Sequence, residues 1–457
     1  MEKIHHLYWR AGFGLSPREW QARQSLTLQL AVDQLFREAG AVEEAPAPSA
    51  SSREGFRQMS TEEKEAVLKQ ERERLGGVNI EWIQRMAGSR HSALRERMAL
   101  FWHGHFACQP IFGSLGAQYA NTLRRHALGN FRELALAIAR DGAMIRFHNN
   151  QQNRKEKPNE NFARELLELF TIGRGHYTEQ DIKEAARAFT GWSSNLAGAY
   201  TFRPRFHDYG PKTFMGKAGN FDGADIIDIV LEQRETARFI TRKIYRYFVN
   251  EQEDEAHIEV LSRQFYESGY EIAPLMRSIF ESDWFYAPQN IGCRIKSPVE
   301  LIVGVIRALD VRFVNDKALL FLQRALGQVV LNPPNVAGWP GGKAWIDNAT
   351  LMLRLNLATY LFQLSEVNFR TKDEPEAGER GTALRRLDAT IDTRPLMDLL
   401  AGVRREHYHE RLAEFLFLQQ PDIAAALLQQ YASAGSDWDY ANSLAMRLMS
   451  LPEYQLC

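Results

Sequence analysis

Apolar residues recur three and four positions apart along most of the chain, the spacing of helices that bury one face. Ile182, Ala185, Ala186 and Phe189 make one such stripe. Helix starts are marked by chemistry as well as by period. Ser16-Pro17-Arg18-Glu19 is a capping box with proline at the first helical position, opening a helical region towards Ala39. Ser60 with Glu63, and Thr178 with Asp181, repeat the capping pattern. The pattern predicts helices over 60–75, 79–86, 92–105, 131–139, 224–231, 234–249, 255–267, 272–281, 298–310, 317–326 and 348–364. Three or four amphipathic helices are predicted within 395–453. The stretch 193–223 is loop-rich, with room for a small β-hairpin around 200–205.

The predicted fold class is therefore mainly α: a multi-helix globular domain, a loop-rich middle with at most a small β-hairpin, and a C-terminal helical region. An Ala/Pro/Ser/Glu-rich segment at 41–58 reads as a flexible insertion, and charged 365–382 reads as a linker. The expected division is a helical core over 1–364, the linker, and a C-terminal helical region over 383–457.

The helix predicted after Pro158 concentrates polar side chains. Asn159 is a good N-cap, Glu160 lies near the positive helix end, and Gly173 offers a stop. Phe162, Ala163, Leu166, Leu167, Leu169 and Phe170 share one side, while Asn161, Arg164, Glu165 and Glu168 share the other. A polar stripe is ordinarily a solvated face; the sharper reading is a cavity lined by two carboxylates, a guanidinium and an amide.

Four further clusters invite chemistry, each beside a plainer reading. His103 and His105 flank Gly104 at a helix end, where a turn would let both reach one ion; otherwise they pack among aromatic rings. His207, Asp208 and Lys212 sit in a loop, suited to metal ligation, acid–base work or anion binding, or to an ordinary turn. Arg187 is expected to pair with a carboxylate of the Glu165 helix. Asn332-Pro333-Pro334-Asn335-Val336-Ala337-Gly338-Trp339-Pro340-Gly341-Gly342 is a stiff turn assembly that either walls a pocket with Trp339 and Trp345 or pins helices together.

At 457 residues the chain can bury a large core, and a net charge of −1 argues against nucleic-acid binding through bulk electrostatics. Three widely spaced cysteines give neither a disulfide framework nor a zinc ribbon, which suits a reducing compartment. The start lacks a signal-peptide pattern and no apolar run approaches spanning length, so the expectation is a cytoplasmic protein without membrane insertion, or a periplasmic or secreted one if a leader has been removed. No nucleophile elbow, P-loop, dinucleotide fingerprint or His-Glu-x-x-His occurs.

Taken together, several motifs resemble a large bacterial family, domain of unknown function 1800. They are Arg10-Ala11-Gly12-Phe13-Gly14, Glu96-Arg97-Met98 with Trp102-His103-x-His105-Phe106, and Asn159-Glu160-Asn161-Phe162-Ala163-Arg164-Glu165-Leu166. Ala186-Arg187-Ala188-Phe189-Thr190-Gly191-Trp192, His207-Asp208 and Pro333-Pro334-Asn335-Val336-Ala337-Gly338-Trp339-Pro340 complete the set. The resemblance covers roughly residues 4–364. It implies no particular activity, but genes of the family often neighbour a sulfatase-like family, domain of unknown function 1501.

The leading expectation is an enzyme with a polar cavity between the Glu165 helix, the His103–His105 helix end and the His207–Asp208 loop. In its metal version His103, His105 and His207, with Asp208 or Glu165 supplying oxygen, hold a divalent ion such as zinc, manganese or iron. Glu168 or Glu160 then serves as base beside Glu165, while Arg164, Arg187 or Lys212 holds an anionic group. A metal-free version uses Glu165 as general acid opposite a second carboxylate. The nominal reaction is hydrolysis of a glycan or ester. The alternative is a non-catalytic helical partner or assembly factor for the sulfatase-like neighbour.

Overall fold

One helix organises the molecule because almost nothing on it reaches water. In the computed structural model, which describes residues 2–48, 59–195, 197–363, 366–367, 385–423 and 425–457, the helix Ala93–His105 is buried along nearly its whole length. Its charged side chains must therefore find partners inside the protein. Arg95 donates to the carbonyls of Ala39 at 2.9 Å and Arg124 at 2.8 Å. Glu96 accepts from Arg124 Nε at 2.6 Å and Trp82 Nε1 at 2.9 Å. Arg97 pairs with Glu300. The Glu96-Arg97 motif is thus a two-way brace, tying the central helix to Gly113–His126 on one side and Pro298–Leu309 on the other.

Twenty-one α-helices and four two-stranded sheets occur among the described residues, so the fold is mainly α. The predicted capping boxes at Ser16, Ser60 and Thr178 all form. Helices Phe131–Ala139, Glu255–Glu267, Ile272–Glu281 and Lys317–Leu326 match the sequence pattern end to end. The two helices predicted at 60–75 and 79–86 are one, Thr61–Ala87, continuous through Gly76-Gly77. Packing against Gly113–His126, Pro298–Leu309 and Lys317–Leu326 offsets the low helix propensity of the glycine pair. Gly113–His126 is a further helix beyond those the pattern predicts, although Leu115, Tyr119 and Leu123 fall four apart along its buried face.

The loop-rich middle holds two hairpins rather than one. Trp192–Ser194 pairs antiparallel with Tyr200–Phe202, and Lys212–Phe214 with Lys217–Gly219. The insertion predicted at 41–58 is described only as far as residue 48, where Ala45 exchanges hydrogen bonds with the Asn121 side chain. Of the predicted linker 365–382, only 366–367 lies within the described residues. Beyond it, Ala389–Ile391 pairs with Val311–Phe313, and Leu412, Leu444 and Leu448 join the same apolar core as the N-terminal helices. No helix among the described residues is long and apolar enough to cross a membrane.

Candidate functional site

The Glu165 helix begins one residue later than predicted and changes pitch halfway. Asn159 Oδ1 accepts the Asn161 N–H at 3.0 Å, and the α-helix runs Asn161–Glu165. Leu166–Thr171 is π-helix. A π turn widens the backbone and leaves carbonyls to be satisfied from outside, a feature common at functional sites. Here His105 Nε2 donates to Phe170 O at 3.0 Å and Lys243 Nζ donates to Leu169 O at 2.9 Å. The predicted meeting of the His105 helix end with the Glu165 helix is real, but backbone carbonyls make it rather than carboxylates.

Lys243 also donates to His105 Nδ1 at 3.2 Å. With Nε2–H spent on Phe170, that nitrogen is the lone-pair side of the imidazole. Burial, reinforced by Arg246, lowers the Lys243 ammonium from 10.5 to about 8. Burial, with Lys243 adjoining, holds His105 well below its ordinary value, so it stays neutral.

Lys243 and His105 line a cavity of about 530 Å³. Helix Arg234–Phe248 supplies Lys243, Arg246 and Tyr247 to its wall. Phe101 and Leu100 come from the central helix, Arg294 and Ser297 from the segment leading into Pro298–Leu309, and Gln328 from just beyond Lys317–Leu326. The glycine-rich loop closes it with Trp339 and Trp345, as one of the two sequence readings of that loop expected. Four cations (Lys243, Arg246, Arg294 and Lys343) face one lining carboxylate, Glu251.

His103 fixes the loop without entering the cavity. Its Nε2 accepts the Leu331 N–H at 2.9 Å, so Nδ1 carries the proton and meets Tyr119 Oη at 3.3 Å. Leu331 stands at φ 65°, a left-handed conformation that costs an ordinary residue about 1–2 kcal/mol. The histidine holds that bend, from which the loop leaves. Trp339 packs edge-on against its ring at 5.2 Å. Gly338, at φ 79°, lies on the Gly104 carbonyl, where a Cβ would collide.

The other predicted site residues close on local partners. Arg164 pairs with Glu179 at 2.8 Å and Glu160 at 3.1 Å, and Glu168 with Arg174. These belong to the plain reading of the polar stripe. Glu165 is partly buried, with no hydrogen bond or ion pair, and burial followed by Glu168 repulsion raises its pKa. Arg187 pairs with Asp208 at 2.7 Å and Glu184 at 2.7 Å, not with the Glu165 helix as expected. The loop carrying Asp208 folds back onto the Arg187 helix and reaches it first. Lys212 is buried, spending its ammonium on the carbonyls of Asp208 at 2.6 Å and Gly210 at 3.1 Å. His207 donates through Nδ1 to Thr190 O at 2.8 Å.

The structure does not bring His103, His105, His207 and Asp208 together as one ligand set among the described residues. His103 and His105 commit both ring nitrogens to protein groups on different neighbours, and Asp208 is held by Arg187. Among the described residues no three His, Cys, Asp or Glu side chains converge as a ligand set.

Sequence reasoning missed Lys243, Arg246, Arg294, Ser297 and Gln328. Lys243 flanks the apolar stripe Ile240, Ile244 and Phe248, where a lysine reads as solvated, and nothing local signals its burial.

Residues 6–456 match the family model described as protein of unknown function (DUF1800), and the chain belongs to that family. The match runs past residue 364, taking in the C-terminal helices that the motifs did not cover. No curated protein and no solved structure matches the chain.

Proposed function

We propose that the cavity is the active site of an enzyme that hydrolyses an ester of an anionic substrate, with Lys243 as its acid–base group. The carrying observation is how Lys243 is held. A neutral amine has two N–H donors and one lone pair. Leu169 O and His105 Nδ1 accept two donors, which leaves the lone pair, or in the ammonium form a third N–H, as the unspent valence. A value near 8 lets the group exchange protons close to neutral pH.

In this reading the amine takes a proton from water as the water oxygen adds to the ester carbonyl. The ammonium returns that proton to the departing alcohol oxygen, giving acid and alcohol. His105 is a positioning residue that fixes the amine. Lys343 and Arg246 draw anionic substrates towards the opening, and Trp339, Trp345 and Tyr247 offer faces to an apolar or ring portion. Of the two nominal reactions, ester cleavage fits better than a two-carboxylate glycosidase, because the lining offers Glu251 alone.

Anionic chromogenic esters turned over by the wild type, with Lys243→Met reducing kcat at least 100-fold and leaving the fold intact, is the expected result. Equal turnover in the variant would sink the assignment. The alternative, a non-catalytic partner of a sulfatase-like protein, draws on exposed Leu427, Tyr431 and Trp438 at the C-terminal helices. It predicts no turnover at all and stable association with that protein when the two are mixed.

A further inference from the structure

Arg294 is buried, at 6% exposure, yet its guanidinium donates no hydrogen bond to any acceptor among the described residues. Its backbone is pinned on both sides, N–H to Cys457 O at 3.1 Å and C=O from Cys457 N–H at 2.8 Å. The nearest side-chain carboxylate oxygen, Glu300 Oε1, is 3.8 Å away. Glu300 is already engaged: Arg97 takes Oε1 and the Ser297 N–H takes Oε2 at 2.6 Å. Arg294 therefore lies over the Tyr247 ring, 5.0 Å from its centroid, with Nη1 in a long ion pair to Glu300, Nε and Nη1 buried without a hydrogen bond, and Nη2 the nitrogen left to reach the cavity. A buried cation in that condition is costly unless something else supplies the acceptor.

Its neighbours in the cavity wall are short of acceptors too. Ser297 Oγ receives the Glu300 N–H, which leaves the hydroxyl hydrogen free to donate. Gln328 Oε1 receives the Val299 N–H at 3.0 Å, and the amide nitrogen has no protein acceptor. Both residues, like Arg294, line the cavity. Pro298–Leu309 starts at this point, so the positive end of its dipole adds to the field, although its first amides are spent. Three unspent donor groups meet here, with the remaining cavity cations Lys243, Arg246 and Lys343 around them.

We propose that Arg294, Ser297 and Gln328 form a seat for a tetrahedral oxyanion, the phosphate or sulfate group of an ester-type ligand. The inference rests on the cavity being a ligand site, as proposed above, and names the class of ligand. The excess of cations over carboxylates favours a dianion, hence a phosphate monoester, doubly charged at pH 8, over a sulfate monoester, which carries one charge.

The test is isothermal titration of the full chain at pH 8 and constant ionic strength with methyl phosphate, methyl sulfate and acetate. Wild type, Arg294→Met and Gln328→Glu are compared. The glutamate keeps an oxygen for the Val299 N–H and places a carboxylate where the anion would sit. Expected is saturable methyl phosphate binding, weakened about 10- to 100-fold by Arg294→Met, the scale of one charged hydrogen-bonding contact. Gln328→Glu should abolish binding while raising Tm, because it gives Arg294 its missing partner. Tighter methyl sulfate than methyl phosphate binding, with the same variant dependence, keeps the seat and assigns the sulfate class. Tightest binding of acetate, no saturable binding of methyl phosphate or methyl sulfate by the wild type, or affinities unchanged within threefold in both variants would overturn the seat. Oxyanion binding of the expected pattern without any ester turnover would leave the seat standing and remove the acid–base reading. Lys243-dependent turnover with anion binding indifferent to Arg294 would do the reverse.

Discussion

Lys243 Nζ and His105 Nδ1 stand 3.2 Å apart, and the imidazole can only accept, because Phe170 O holds its other nitrogen. Burial, reinforced by Arg246, makes this lysine on the flank of an amphipathic helix a group that loses its proton near pH 8, and the imidazole orients it. In the unfolded chain the same lysine titrates near 10.5. The folded state binds fewer protons between these values, so stability contributed by this group rises with pH from about 8 to 10.5. Below 8 the penalty for the buried ammonium is fully present.

Activity should follow the amine. Turnover of an anionic ester is expected to climb with pH and level off above about 8, the limb reporting Lys243 deprotonation. Urea unfolding of Lys243→Met at pH 7.5 and 10 should show its stability relative to wild type falling by about 1–3 kcal/mol as pH rises. A pH-independent difference would place the lysine in a solvated environment.

Gly338→Ala should damage the cavity from outside it. The position combines φ 79° with contact on the Gly104 carbonyl, so a methyl group must displace the loop or the helix end. A loss on the order of 2–4 kcal/mol in denaturant unfolding is expected, with weaker ligand binding as Trp339 shifts. Wild-type stability and affinity in this variant would contradict the close approach.

His103→Ala separates a structural histidine from a metal ligand. Losing the acceptor for Leu331 N–H and the packing against Trp339 should cost about 2–4 kcal/mol. Metal content by mass spectrometry is expected to be the same in wild type, His103→Ala and His207→Ala. A near-stoichiometric metal lost from both variants would restore the shared ligand set.

Asp141→Asn tests a buried carboxyl far from the cavity. Burial, opposed by the Ala143 N–H and Thr122, raises Asp141 from 3.8 to about 6. Its protonated form can donate to Thr122 Oγ1, 3.0 Å away, whose hydroxyl then donates to Gln118 O at 2.9 Å. Between pH 3.8 and 6 the native state binds more protons than the unfolded chain, so wild-type stability falls across that window and stays reduced above it. Asparagine mimics the protonated form and still caps Gly142–Phe147. It is expected to stabilise the protein by about 1–3 kcal/mol at pH 7.5, an advantage that fades below pH 4. Destabilisation at pH 7.5 would mean that the charged form is preferred.

Much of the helical layout was legible because capping is local. Ser16, Ser60 and Thr178 meet partners three residues on, and no distant element can change that spacing. The Glu165 stripe was legible only as a helix. Its π turn depends on His105 and Lys243 arriving from other helices to satisfy Leu169 and Phe170. The aromatic loop was half legible: its rigidity follows from proline and glycine, whereas the pocket it closes requires His103 to hold Leu331 from across the core.

By itself the sequence determined a mainly α fold, its capped helix starts, its stiff tryptophan loop and its family motifs. All of these arise from interactions within a few residues. Tertiary structure alone decided which charges are spent. Asp208 and Arg187 neutralise each other, Glu168 is taken by Arg174, and Arg97 takes the close contact with Glu300, leaving Arg294 at 3.8 Å. A side chain's chemistry is set by which partner arrives first in a desolvated interior, and here Arg97, 203 residues from Glu300 along the chain, takes the carboxylate that lies six residues from Arg294.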